Sequence, residues 1–261
     1  MSYLGTPFAG FQAQAGVKTV ESAFHDAFAK LVPEPPDITG AGRTDAGVHA
    51  KGQVLSCRFA SRFEANTLPK ALSHFLNPEI IVYRADEMHA DFDAQRQSIG
   101  KRYVYRLALS AREQPFKHLY TWRIKKPLDI QAMRLAAQCL VGEHDYESFR
   151  SSQCGAAHAR RYIWQISIND DWEIDIRGNA FCHNMVRIIV GSLVEVGLGK
   201  LKALDMQSIL DAKDRTRAGR TAPPHGLTLE EVYYPDDLTQ AGIPEGAKFP
   251  RYPVSLETWP C

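Results

Sequence analysis

Between Arg102 and Tyr234 the chain sets out an ordered alternation of elements that few folds accommodate. Residues 102–110 alternate, with Tyr103, Tyr105, Leu107 and Leu109 on one face and Val104, Arg106 and Ala108 on the other, which is the period of a strand. Asp129 then caps a helix with Met133, Ala136, Ala137 and Leu140 at helical spacing, ended by Gly142. Ile163 to Ile168 and Glu173 to Phe181 read as two strands around a turn at Asn169-Asp170-Asp171. A strongly apolar helix covers 184–196, a shorter one covers about 203–212, and Leu227 to Tyr234 is a last strand closed by Pro235.

This order is β-α-β-β-α-β with one extra helix, the split βαβ pattern of ferredoxin-like domains. The first half repeats it imperfectly. A helix runs from a Thr19 cap through Val20, Phe24, Ala27, Phe28 and Leu31 and stops at Pro33. Strands near 37–43 and 52–59 flank a glycine-rich loop, a helix opens around Thr67 with Pro69 in its first turn, and Ile80 to Ala85 closes the unit. The opening strand of this half is missing or very short, because only Met1 to Ala9 precede Gly10. Either the half is an incomplete copy or the true N-terminus lies upstream of Met1. The expected fold is therefore α+β: two ferredoxin-like, RRM-like units, residues 1–98 and 99–235, with antiparallel sheets around a central cleft. Residues 236–261, rich in Pro and Gly, read as a C-terminal extension.

With 261 residues, 44% of them apolar, the chain can build one large or two modest cores. No apolar run is long enough to span a bilayer, and no basic segment leads into an apolar one at the N-terminus, so a cytoplasmic protein off the membrane is expected. Cys57, Cys139, Cys154, Cys182 and Cys261 are odd in number and scattered, without a C-x-x-C, which argues against a disulfide framework and a zinc site. The net charge of +1 is uninformative, but its distribution is not. Arg96 to Lys126 holds nine Lys/Arg against Glu113 alone, whereas Glu79 to Asp93 holds five acids and one Arg. Lys213 to Arg220 is basic again, with four cations and Asp214. Basic stretches interleaved with Tyr103, Tyr105, Tyr120 and Trp122 suit a polyanion that also stacks; a solvated basic face is the plainer alternative.

Residues 40–49 read Gly-Ala-Gly-Arg-Thr-Asp-Ala-Gly-Val-His. Gly40, Gly42 and Gly47 allow a sharp turn and the close approach of a large ligand. Gly42 and Gly47 have P-loop spacing, but Val48-His49 stand where Lys-Ser/Thr would be, and Asp45 occupies the third glycine of a Rossmann fingerprint. No G-x-S-x-G is present. Asp45 and His49 could pair, although a lone His near a turn is usually a packing residue. Cys182-His183 suggests a thiol nucleophile, yet Cys182 sits between an apolar strand and an apolar helix, where free Cys usually acts as a small hydrophobe. For Asp45 the plain reading is a residue that caps its own turn. Against it stand Arg43, two residues away, and Arg187, which lies on the most apolar helix of the chain, where little polar face is left. A guanidinium there is expected to enter a cleft and want an acid. An aspartate paired with it stays ionised, a poor general acid but a persistent carboxylate nucleophile.

Several segments together resemble the bacterial-type tRNA pseudouridine synthase A family. They are Gly5-Thr6-Pro7-Phe8-Ala9-Gly10-Phe11-Gln12-Ala13-Gln14, Gly42-Arg43-Thr44-Asp45-Ala46-Gly47-Val48-His49 and Lys101-Arg102-Tyr103-Val104-Tyr105, followed by His144-Asp145-Tyr146-Glu147-Ser148-Phe149, Gly178 through Arg187, and Gly226-Leu227. The resemblance runs from about residue 3 to 235. Two departures stand out. The family's Tyr-Asp-Gly is Tyr3-Leu4-Gly5 here, and its Phe-x-Ala-Arg is Phe92-Asp93-Ala94-Gln95, with Arg96 adjacent.

What the resemblance implies is isomerisation of uridine to pseudouridine at positions 38, 39 and 40 of the tRNA anticodon stem-loop, with no cofactor and no metal, by a homodimer whose protomers jointly hold one tRNA. By match, Asp45 is the nucleophile and Arg187 its partner. Tyr103 stacks on the target base and assists proton removal, Arg43 helps hold the base out of the helix, and Leu227 packs the base pocket. A catalytically weak tRNA- or RNA-binding module on the same scaffold is the competing expectation.

Overall fold

The computed structural model of the chain describes residues 1–60 and 63–235; the expected C-terminal extension lies outside the described residues. In chain order the elements are β1 (Ser2–Tyr3), α1 (Val20–Phe28), β2 (Ile38–Gly40), β3 (His49–Ala50), β4 (Leu55–Cys57), α2 (Leu68–Leu76), β5 (Ile80–Ile81), β6 (Gly100–Leu109) and β7 (Trp122–Ile124). After these come α3 (Ile130–Gln138), β8 (Gly142–Asp145), β9 (Arg160–Ile168), β10 (Glu173–Gly178), α4 (Met185–Gly197), α5 (Asp205–Ala212) and β11 (Leu227–Tyr233). The fold is α+β.

The helix signals act where the sequence puts them. Thr19 closes a capping box with Ser22 at the start of α1, and the Asp129 side chain accepts from the Ala132 amide at the start of α3. Helix α1 ends at Phe28 rather than running on to Leu31. Strands β7 and β8 have no counterpart in the sequence reading. Three residues are too few to display a period, and β8, Gly-Glu-His-Asp, is a polar edge strand without an apolar alternation.

Where a sheet in each half was expected, one sheet spans both. Its order is β5-β1-β3-β11-β6-β10-β9-β8, with β7 adding to β6 in parallel. The halves meet where β3 pairs with β11 in parallel, Thr228 opposite His49 and Leu229 opposite Ala50. The reason is the hydrogen-bonding demand of open edges. Strand β1 covers one side of β3, Tyr3 facing Ala50, and β11 of the second half covers the other. In the second half β11, β6, β10 and β9 lie side by side, all antiparallel. The opening strand of the first half is present as the two-residue β1, held between β3 and β5.

A separate two-stranded sheet pairs β2 with β4, Ile38 opposite Cys57. The chain between them crosses to the large sheet and back, so the glycine-rich loop joins the small sheet to the large one.

Helix α4 anchors the core. Of its 13 residues all but Arg187 and Glu195 are buried, and Ile188, Ile189, Val190, Leu193 and Val194 are fully enclosed. Each such side chain contributes about 1.5–3 kcal/mol by leaving water. Gly191 lets this helix touch the chain beside it: a Cβ there would stand 1.7 Å from the Arg220 carbonyl oxygen. The 219–222 segment is thereby held flat against α4.

Candidate active site

The loop turns at Asp45. Its backbone carbonyl accepts from the Val48 amide at 3.1 Å, and Gly47 takes φ +79°, a conformation that glycine adopts freely. Phe11 N–H donates to the Thr44 carbonyl at 3.0 Å, and the Thr44 hydroxyl lies 2.7 Å from the Tyr3 hydroxyl. Gln53 braces both sides, donating to the Gly42 carbonyl at 2.7 Å and to Tyr3 Oη at 3.3 Å. Burial pushes the Tyr3 phenol up to about 12, so it stays a neutral hydroxyl partner. Gly40 serves packing rather than a ligand, since a Cβ there would meet the Phe11 ring at 2.4 Å.

With the turn closed by its own backbone, the Asp45 side chain is free for another use. Oδ2 accepts from Arg187 Nη1 at 2.8 Å, and Oδ1 lies 3.5 Å from His183 Nε2. Arg187 is held from three sides. Nη1 also donates to Asn184 Oδ1 at 2.7 Å, and Nε donates to the Ala222 carbonyl at 2.8 Å. Asn184, at the start of α4 with φ +62°, places that amide oxygen. Side-chain exposure is 15% for Arg187 and 18% for Asp45, so the pair is mostly shielded from water but not sealed from it. An ion pair in such a place gains from the low local dielectric while each charge keeps hydrogen-bond partners.

Tyr103 lies in the middle of β6, between Ile176 of β10 and Leu229 of β11. Its ring stands edge-on to Phe181 at 5.2 Å and is only 7% exposed. Burial first, then the nearby Tyr3 and Asp45, raises its hydroxyl far above the ordinary tyrosine range. Tyr103 is thus a neutral phenol, able to donate or relay a proton but not to stand as a phenolate. Leu227 is 4% exposed at the start of β11. Arg43 points out from the loop and, among the described residues, has no ion pair.

Other expectations change. His49 does not pair with Asp45: Nδ1 accepts from the Gly5 amide at 3.1 Å and Nε2 faces the Leu119 carbonyl at 3.0 Å, which fixes it as a neutral structural ring. Cys182 is buried and its thiol is pushed up to about 11 by burial, which suits packing and not nucleophilic attack. Much of the basic stretch is internally neutralised, Arg102 by Asp175, Arg106 by Glu173 and Glu230, and Arg123 by Glu113. Arg112, Lys117, Lys125 and Lys126 remain exposed. Of the interleaved aromatics Tyr105 and Trp122 belong to the core, and only Tyr120 is exposed. Among the described residues no cluster of His, Cys, Asp and Glu could hold a metal ion, and no helix is long and apolar enough to cross a membrane.

The family model for tRNA pseudouridine synthase matches residues 1–95 and 136–235. The chain belongs to the tRNA pseudouridine synthase family. It is 38% identical over 240 residues to the tRNA pseudouridine synthase A of Myxococcus xanthus, covering 90% of this chain and 91% of that one. Those of Brevibacillus brevis and Thermoanaerobacter sp. (strain X514) are 40% and 39% identical over 237 residues, each covering 90% of this chain and 97% of the relative. Asp45, Arg187, Arg43 and Leu227 fall inside the spans matched to the pseudouridine synthase model, and Tyr103 falls between them. Asn184 received no role from the sequence, and His183 only a place beside Cys182 in the thiol reading. The one local hint was their place just before α4, where an Asn commonly caps.

Proposed function

We infer that this protein isomerises uridine to pseudouridine in tRNA, with Asp45 as nucleophile, at positions 38, 39 and 40 of the anticodon stem-loop. The observation that carries the reading is the Asp45–Arg187 pair, 2.8 Å apart, which joins the glycine-rich loop to helix α4 beside Tyr103. The reaction breaks the bond from ribose C1′ to N1 of the base and joins C1′ to C5; it consumes no electrons and adds no atoms, so side chains alone suffice for it. Arg187 orients the Asp45 carboxylate, with Oδ2 occupied and Oδ1 the freer oxygen. That oxygen attacks C6 of the uracil or C1′ of the sugar. Tyr103 stacks against the base and relays the C5 proton as a neutral phenol. Leu227 closes the pocket.

The base must first leave the helical stack, at a cost of a few kcal/mol. Arg43, exposed on the loop, and the exposed cations of the 110–126 region offset that by contacts to phosphate. In this reading residues 1–98 carry the catalytic loop and 99–235 carry Arg187 and Tyr103, two ferredoxin-like units sharing one site, and a homodimer in the cytoplasm holds the tRNA across both protomers.

The deciding experiment is Asp45→Asn. The variant is expected to bind tRNA like the unaltered protein and to form no pseudouridine, with modified positions mapped in tRNA incubated with each. An active Asn variant would remove Asp45 from the nucleophile role. An unaltered protein that binds but does not modify would leave only the weak binding module.

A further inference from the structure

Two cations beside the site have no acid to pair with. Lys101, the second residue of β6, is 8% exposed, and its Nζ donates one hydrogen bond, to Ser98 Oγ at 3.1 Å. Arg161, near the start of β9, gives Nη1 to the carbonyls of His158 and Arg160, while its Nε is buried without a partner. Among the described residues neither side chain has a carboxylate within 4.0 Å. They share one face at one end of the sheet: Lys101 stands opposite Gly178 of β10, and Gly178 opposite Ile163 of β9, two residues along from Arg161. Burial, and then the Arg161 charge, pull the Lys101 amine down to about 8. Two like charges side by side, one of them buried and one with a buried donor unfilled, are unfavourable by themselves and call for an anion.

The surroundings tie this place to the catalytic loop. A Cβ on Gly42 would stand 3.1 Å from Lys101 Cε and 3.7 Å from the Tyr103 hydroxyl, so the glycine lets the catalytic loop pack closely on the Lys101 stem beside Tyr103. Arg161 also acts on the Cys182 thiol, which immediately precedes His183. We propose that Lys101 and Arg161, with Ser98, form a phosphate clamp that takes one backbone phosphodiester of the RNA next to the nucleotide entering the Asp45 cleft. The Arg161 guanidinium and two free N–H groups of Lys101 are the donors, and both charges are neutralised only when RNA is bound. The proposal rests on RNA as the substrate, not on which atom Asp45 attacks.

The test pairs Lys101→Met and Arg161→Met with an anticodon stem-loop carrying a neutral methylphosphonate at one phosphate at a time. Each variant is expected to weaken RNA binding and to flatten the log–log salt dependence by about one unit. At one phosphate position the methylphosphonate weakens the unaltered protein but not Lys101→Met. Lys101→Met should melt no lower than the unaltered protein, because it removes an unpaired buried charge, and Lys101→Arg should retain binding. Unchanged affinity and salt slope in Lys101→Met, a Lys101→Met that loses stability instead of affinity, or no phosphate position with the paired behaviour would each overturn the clamp. RNA binding without pseudouridine formation by the unaltered protein would sink the functional reading and leave the clamp standing. No RNA binding at all would overturn both.

Discussion

Asp45 and Arg187, 142 residues apart in the chain, meet at 2.8 Å with both side chains mostly out of water. Each is positioned by backbone that is itself fixed: Asp45 by a turn closed at Val48, and Arg187 by a buried helix and the Ala222 carbonyl. The pair is therefore set before any substrate arrives.

Replacing Arg187 separates positioning from binding. Arg187→Ala leaves Asp45, Asn184 and the Ala222 carbonyl without their donor, so stability should fall by ~2–4 kcal/mol. Turnover should fall more than tRNA affinity. Arg187→Lys restores the charge but cannot reach three acceptors from one nitrogen, and should recover stability only in part. Equal losses of kcat and affinity in the Ala variant would mean that Arg187 contacts phosphate.

His49 makes the fold sensitive to mild acid. Its Nδ1 accepts from the Gly5 amide, so protonation breaks that bond, and burial lowers its pKa below the ordinary value. His225 is lowered in the same direction by burial. Above about pH 6.5 both states hold these rings neutral and stability is full. As pH falls through that value toward the lowered folded-state pKa, the unfolded chain takes up protons first and stability is lost. Thermal unfolding should show Tm falling from pH 7.5 to 5.5, and His49→Phe should flatten that fall. An equal slope in the variant would clear His49.

Gly191→Ala tests the contact that delivers the Ala222 carbonyl to Arg187. The new Cβ meets backbone, not a flexible side chain, so α4 and the 219–222 segment must part. Destabilisation of ~2–4 kcal/mol is expected in denaturant unfolding, together with a loss of turnover. A variant of unchanged stability would show that the segment yields without strain.

Thiol chemistry can be set aside by a mild change. Cys182→Ala should retain activity, since its thiol is buried and held protonated. Cys154 is partly exposed and its thiol pKa is lowered by hydrogen bonds from the Ala156 and His183 amides and from Cys182, which outweigh burial. Under alkylation of the native protein with iodoacetamide, mass spectrometry should find Cys154 modified well before Cys182.

Local signals in the chain carried much of the fold. Thr19 and Asp129 start α1 and α3 where their side chains can cap, and the alternation around Tyr103 and Tyr105 is β6. Those signals work because a cap or a face involves residues within one turn or one strand. They failed for β7 and β8, which are too short or too polar to show a period, and for Tyr105 and Trp122, whose rings fill the core instead of facing a ligand. In the loop, Asp45 read more simply as its own cap; only the positions of Arg187 and His183 show its carboxylate turned away from the turn.

From the sequence alone came the element order, the apolar helix with one stranded guanidinium, and a single acid on a glycine-rich loop. Tertiary structure decided what those parts meet: that β3 and β11 join both halves in one sheet, that Arg187 reaches Asp45 while His49 does not, and that buried Lys101 and half-buried Arg161 have no acid beside them among the described residues. The division has a physical cause. Periodicity and capping report the environment of a few neighbouring residues, whereas strand pairing and ion-pair formation depend on which open edges and unpaired charges, far apart in the chain, satisfy one another when the core closes.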